Sequence, residues 1–183
     1  MVASSLYQAR EAHQRARALA LMAPTRDQFR RVMGRFATGV TVITTRAGDE
    51  MHGMTANAVT SLSLDPMLVL VCVDKAADTH DIISHARTFA VNILSKEQAE
   101  ISNRFAKKER EAAHDLDGVA YHLSESGLPL IEGAIAHLEC RTMSEVEGGD
   151  HTIFIGEVTK AEDSGAGEPL LFYQGRYGRF VEP

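Results

Sequence analysis

Four stretches of this sequence carry polar side chains in arrangements that can do chemistry. The first is GMTANAVTSLSLDP, Gly53 to Pro66, where Thr55, Asn57, Thr60, Ser61 and Ser63 are interleaved with small or apolar residues such as Ala58 and Leu62. Small side chains let a flat ligand approach the backbone, and amides and hydroxyls match the donors and acceptors on the edge of a heteroaromatic ring. A half-exposed strand whose Thr and Ser face water fits the same pattern. The second stretch, VDKAADTHD from Val73 to Asp81, puts Lys75 and Thr79 where a strand passes into a helix start. Free N–H groups there attract phosphate and the lysine adds charge, although an ordinary capped helix with a solvated lysine reads alike. In GGDHTIFIGEV, Gly148 to Val158, His151 directly follows a tight turn and an acid, a place for a proton donor, a stacking surface or a plain capping histidine. PLLFYQGRY, Pro169 to Tyr177, offers Tyr173, Arg176 and Tyr177 for stacking and a phosphate contact, or for an edge strand with aromatic residues.

The elements that must position these residues follow from hydrophobic spacing. Thr25 and Gln28 form a capping box, and Phe29, Val32, Met33, Phe36 and Ala37 recur at helical spacing, predicting an amphipathic helix that ends at Gly39. Val40 to Thr45 is a β-branched strand, Ala47 to Glu50 a turn, and a second strand begins near Met51. Met67 to Val73 is almost wholly apolar between Pro66 and Asp74, which predicts a strand covered on both faces at the centre of the core. A short helix carrying Ile82, Ile83 and Ala86 then precedes a strand over Phe89 to Leu94. Ser95 with Gln98 repeats the capping box ahead of a helix through Ile101 and Phe105.

The charged, Ala-rich run over 107–117 has no period and reads as a surface excursion. Period-two alternation from Ala134 to Arg141, the turn residues Gly148 to Asp150 and the run Thr152 to Val158 predict a long hairpin. A short strand pair, Leu170 to Tyr173 and Tyr177 to Val181, flanks Gly175. The class is mainly β with inserted helices, and hairpin connections favour an antiparallel barrel over a parallel sheet. Residues 1–24 are expected to be an N-terminal helical extension and 25–183 one domain.

Composition narrows the function. In 183 residues, 44% are hydrophobic and 24% charged, which suits one ordinary core, and the net charge of -6 argues against a nucleic-acid partner. No apolar run reaches the length of a membrane-spanning helix. Cys72 and Cys140 stand apart in apolar surroundings and read as buried thiols in a reducing cytoplasm. The eight histidines lack metal-ligand spacing, so no metal is expected. Neither a Gly-x-Gly-x-x-Gly turn nor a Gly-Lys-Ser loop occurs, so any nucleotide must be held otherwise. The segment before Asp27 is biased to arginine (Arg10, Arg15, Arg17, Arg26) against Glu11; a helical extension, a transit peptide and translation from Met22 all fit it.

Taken in order, FRRVMGRFATGVTVITT (Phe29 to Thr45), GMTANAVTSLSLDP, RTFAVNILS (Arg87 to Ser95), GGDHTIFIGEV and PLLFYQGRY closely resemble the flavin reductase-like family over about residues 27 to 181. More narrowly, the chain is similar to the reductase component of two-component aromatic hydroxylases acting on phenol or 4-hydroxyphenylacetate. The resemblance implies an FMN-binding split β-barrel, a homodimer, and a flavin in a groove near the dimer interface. It implies that Thr55, Asn57, Ala58, Ser61 and Leu62 line the flavin ring, with Lys75 and Thr79 near its phosphates. It places His151 by the nicotinamide as the catalytic candidate, with Arg176 and Tyr177 holding the dinucleotide. Ala77 departs from the family, where a hydroxyl residue is common. The implied reaction passes hydride from NADH or NADPH to FAD or FMN and hands reduced flavin to a separate monooxygenase. The absence of an arginine cluster for a 2′-phosphate favours NADH. The rival is a flavin-binding electron carrier or sensor that does not turn over nicotinamide.

Overall fold

The computed structural model describes residues 23–106 and 115–181. Most of the expected N-terminal extension and surface excursion therefore lies outside the described residues. The chain divides into two compact units, Met1–Phe36 and Ala37–Pro183.

In the first unit, α1 spans Arg26–Met33. Both arms of its capping box form: the Gln28 N–H donates to the Thr25 hydroxyl at 3.1 Å and the Thr25 N–H to Gln28 Oε1 at 2.8 Å. The helix stops at Gly34, sooner than apolar spacing predicts. There the Arg35 and Phe36 N–H groups turn to the Val32 and Met33 carbonyls, each at 3.0 Å, in the tighter three-residue pattern of a fraying end.

The second unit is built on strands. They are β1 (Thr38–Gly39), β2 (Thr41–Ala47), β3 (Glu50–Ala56), β4 (Val59–Leu64), β5 (Met67–Asp74), β6 (Thr88–Ile93), β7 (Tyr121–Leu123), β8 (Pro129–Ile131), β9 (Ala136–Gly148), β10 (His151–Asp163), β11 (Leu171–Tyr173) and β12 (Arg176–Gly178). Between them lie α2 (Asp78–Ala86) and α3 (Ala99–Phe105). The large sheet runs β3-β2-β6-β9-β10-β5-β4 with every neighbour antiparallel. Short sheets β1-β11-β12 and β7-β8 flank it. The fold is thus mainly β with inserted helices, as the sequence predicts.

Alternation along β2 explains why the large sheet has apolar clusters on both faces. Ile43 joins Val69, Val71, Val73, Phe89, Val91, Cys140 and Phe154, with Ile83 of α2 above them. Its neighbour Val42 points the other way, into Val40, Leu94, Phe105, Ile131 and Leu170. Burial lifts the Cys140 thiol to about 12, with Glu139 beside it contributing. The polar side chain of Asn92, which sits between the clusters, is fully satisfied. Buried Asn92 donates to the Val42 carbonyl at 2.9 Å and the Thr44 hydroxyl at 3.0 Å, while its own carbonyl accepts the Ile131 N–H at 2.8 Å. The Asn92 of RTFAVNILS is therefore a structural rivet joining β6, β2 and β8.

Two expectations need correction. In β5 buried positions alternate with half-buried ones, so one face rather than both is sealed; that face, Val69, Val71 and Val73, does lie in the core, although the strand is second from an edge of the sheet. A wholly apolar run cannot distinguish the two cases, because Leu68, Leu70 and Cys72 suit either environment. The second capping box forms only in half. Gln98 Oε1 accepts the Ser95 N–H at 3.0 Å, but Gln98 is itself the N-cap residue, one helical turn later than expected. The hairpin of β7 and β8 is an addition that the sequence pattern did not reveal.

Candidate functional site

The C-terminal end of β5 organises the predicted residues. On one side Ala58, just ahead of β4, accepts the Cys72 N–H at 3.0 Å, and on the other Cys72 pairs with Ile153 and Asp74 with His151 of β10. Asn57 and Ala58 thus flank the same strand end as His151. Asn57, Ala58, Ser61 and Leu62 are all exposed, Leu62 to 45%. β4 is the last strand of the sheet, so it leaves an apolar and amide-bearing surface open to a ligand.

His151 begins β10 immediately after the two-residue turn Gly149–Asp150, with Gly149 at φ +78° as such turns require. Its Nδ1 lies 2.8 Å from the Asp150 carboxylate. That hydrogen bond, reinforced by the imidazole's charge when protonated, holds the Asp150 carboxyl below the usual carboxylate range. With Nδ1 engaged, Nε2 is the nitrogen left to meet a ligand, and a partner carboxylate is the ordinary device for fixing a histidine's tautomer. The Asp150 carbonyl in turn accepts the Lys75 N–H at 3.1 Å, joining the turn to the strand end.

Lys75 extends beyond β5 and makes an ion pair with Glu147 of β9. α2 follows at once, and its N-cap, Ala77, supplies no side-chain hydrogen bond. The departure noted in the sequence therefore leaves the helix start without a side-chain cap. Thr79 is buried at 1% exposure, and its hydroxyl faces the Gly53 carbonyl of β3 at a long 3.5 Å. Its side chain is turned into the fold, so toward a ligand it offers backbone.

Thr55 and Tyr177 meet elsewhere, on α3. The Thr55 hydroxyl donates to the Ser102 carbonyl at 2.7 Å. The Tyr177 hydroxyl lies 2.9 Å from the Ser102 hydroxyl and 3.0 Å from Asn103 Oδ1, and its ring packs edge-on to Phe172 at 5.8 Å. Arg176, its neighbour on β12, is exposed. Sequence reasoning missed Ser102, Asn103 and His80. His80 on α2 binds the Thr152 hydroxyl at 2.9 Å and packs edge-on to Phe154, bracing the residue after His151. Ser102 and Asn103 lie in no motif, and His80, although inside VDKAADTHD, carries no local signal of its partners; only the tertiary pairing exposes them.

Comparison with known proteins gives this geometry its context. The model of the flavin reductase like domain matches residues 33–180. The chain belongs to that flavin reductase family. Within it, an NADH-dependent FAD reductase of Streptomyces globisporus is 50% identical over 158 residues, covering 85% of this chain and 86% of the relative. The reductase component of a 4-nitrophenol 4-monooxygenase/4-nitrocatechol 2-monooxygenase from Rhodococcus opacus is 42% identical over 154 residues, covering 84% and 80%. Among solved structures, the Streptomyces globisporus NADH:FAD oxidoreductase SgcE6 in complex with NAD and FAD fragments superposes at a TM-score of 0.80. It shares 48% identity over 85% of this chain and 93% of that one.

Proposed function

We propose that this chain is an NADH-dependent flavin reductase that acts on FAD or FMN and supplies reduced flavin to a separate monooxygenase. The similarity in sequence and fold to a reductase solved with NAD and FAD fragments carries the proposal. When bound, the two cofactors supply the hydride chemistry between them, and the protein's task is to hold and align their rings.

The donor set fits that task. Exposed Asn57 and Ser61 offer amide and hydroxyl groups for a ring edge, Ala58 and Leu62 an apolar face, and Thr55 an acceptor, since its proton is given to Ser102. Lys75 and the start of α2, which has no side-chain cap, suit phosphate, Thr79 contributing through backbone. His151, oriented by Asp150, stands by the nicotinamide, and Arg176 and Tyr177 hold the dinucleotide. The finer architecture in this reading is a split β-barrel over 25–183, assembled as a homodimer and working in the cytoplasm, with residues 1–24 as an extension.

The deciding measurement is anaerobic NADH oxidation by purified protein with flavin in many-fold molar excess. Reduction of many flavins per subunit supports a reductase, and comparison of FAD with FMN names its substrate. Reduction of no more than one bound equivalent means an electron carrier.

A further inference from the structure

We infer that Ser102 is a positioning residue whose hydroxyl sets the dinucleotide hairpin at the point where its backbone carbonyl anchors the flavin strand; the inference rests on the reading of the site given above. Ser102 is fully buried in the middle of α3. It uses its two ends on different partners. Its carbonyl accepts the Thr55 hydroxyl of β3 at 2.7 Å, and its hydroxyl meets the Tyr177 hydroxyl of β12 at 2.9 Å. Thr55 and Tyr177 are far apart in sequence and their strands belong to different sheets. Ser102 is therefore a common hydrogen-bonded neighbour of a residue assigned to flavin and one assigned to nicotinamide.

The chemistry of the three hydroxyls makes the link directional. The Thr55 proton is spent on a carbonyl, so its rotamer is fixed whatever stands at the Ser102 side chain. Tyr177 has one proton and two acceptors in reach, Ser102 Oγ and Asn103 Oδ1. With its proton on Asn103, Tyr177 can accept the Ser102 proton, which satisfies all three groups in one chain. A buried serine hydroxyl, together with Asn103 Oδ1, holds the tyrosine ring more narrowly than ring packing on Phe172 alone. Removing the Ser102 hydroxyl leaves Tyr177 held by Asn103 alone, with a wider range of positions, and leaves the Thr55 contact, which is made to backbone, in place.

The test measures Kd for NAD+ and for FAD or FMN, together with kcat and KM for NADH, in Ser102→Ala, Tyr177→Phe, the double variant and Tyr177→Ala. Ser102→Ala is expected to raise Kd for NAD+ and KM for NADH about three- to tenfold, the loss of one buried hydrogen bond. Flavin Kd and kcat at saturating NADH should stay within error, and the melting temperature should fall by no more than the few degrees that one buried hydrogen bond supports. Tyr177→Phe, which loses the Asn103 hydrogen bond as well, should raise Kd for NAD+ and KM for NADH at least as much, and the double variant should be no worse than Tyr177→Phe, because the Ser102 bond is already gone in it. A general packing defect would instead weaken both ligands together, which overturns the inference. So would an unaltered NAD+ affinity in Ser102→Ala while Tyr177→Ala weakens it. If Tyr177→Ala itself leaves NAD+ binding unchanged, the assignment of β11–β12 to the dinucleotide is wrong and the inference falls with it.

Discussion

Replacing Gly53 with alanine tests the packing beneath the proposed ligand strand at its most constrained point. An added Cβ at Gly53 would lie 2.8 Å from Phe105 Cε1, 3.0 Å from Cδ1 and 3.1 Å from Cζ. Favourable carbon contacts need about 3.5–4.0 Å, so three ring atoms would be overlapped at once. Phe105 cannot swing clear: it is 2% exposed and packed in the cluster of Val42, Leu94 and Ile131. Overpacking of this kind costs about 1–3 kcal/mol. The opposing term, the lower chain entropy of alanine in the unfolded state, returns only about 0.4–1 kcal/mol. Destabilisation therefore wins, and at about 2–4 °C per kcal/mol for a chain this long a calorimetric melting temperature should fall by several degrees. Trimming the ring with Phe105→Leu in the Gly53→Ala background should make the pair less damaging than the sum of the two single changes. A Gly53→Ala protein that melts at or above the parent temperature would refute the argument that ring contact selects glycine here.

Other outcomes follow from the same structure. Asn57→Leu should weaken flavin binding by about 1–3 kcal/mol through a lost ring-edge hydrogen bond, read by fluorescence titration; unchanged affinity would displace the flavin from the connection between β3 and β4. His151→Ala should lower the rate of flavin reduction by about tenfold or more and leave flavin Kd largely intact, whereas equal loss of both would make His151 structural. The Asp150 carboxyl, depressed by His151, should titrate by carbon NMR below the ordinary carboxylate value of about 3.9 and rise toward it in His151→Ala. Because the folded value is the lower one, the Asp150–His151 contact is intact above the ordinary carboxylate range and fails only as pH falls through the depressed value. Alkylation of the native protein near pH 8, followed by mass spectrometry, should leave Cys140 unmodified, since its thiol is held near 12, and label it once the chain is unfolded.

Much of this organisation was legible in residue types and spacing, and the failures have identifiable causes. The Thr25–Gln28 box, the strand at Val40 to Thr45 and the hairpin through Gly149 rest on local rules, and they form. α1 ends early because apolar spacing continues past Gly34 while the backbone does not. The hairpin of β7 and β8 escaped notice because its strands are three residues each, too short to show a period. Of the site, the residues in motifs were found and those that brace them were not. Ser102 and Phe105 gain their meaning from Thr55, Tyr177 and Gly53, all distant in sequence, and no local pattern signals such a partnership.

The pairing of β1 with β11, in which Thr38 meets Phe172, joins strands from opposite ends of the second unit. A ribosome makes the chain in one direction, so β1 must wait for nearly the whole unit to be synthesised before its partner exists. Tyr177 arrives later still. Contacts of such long range also close slowly, because the intervening chain must be ordered first. A nascent or C-terminally clipped chain can therefore hold much of the large sheet yet lack the β11–β12 hairpin.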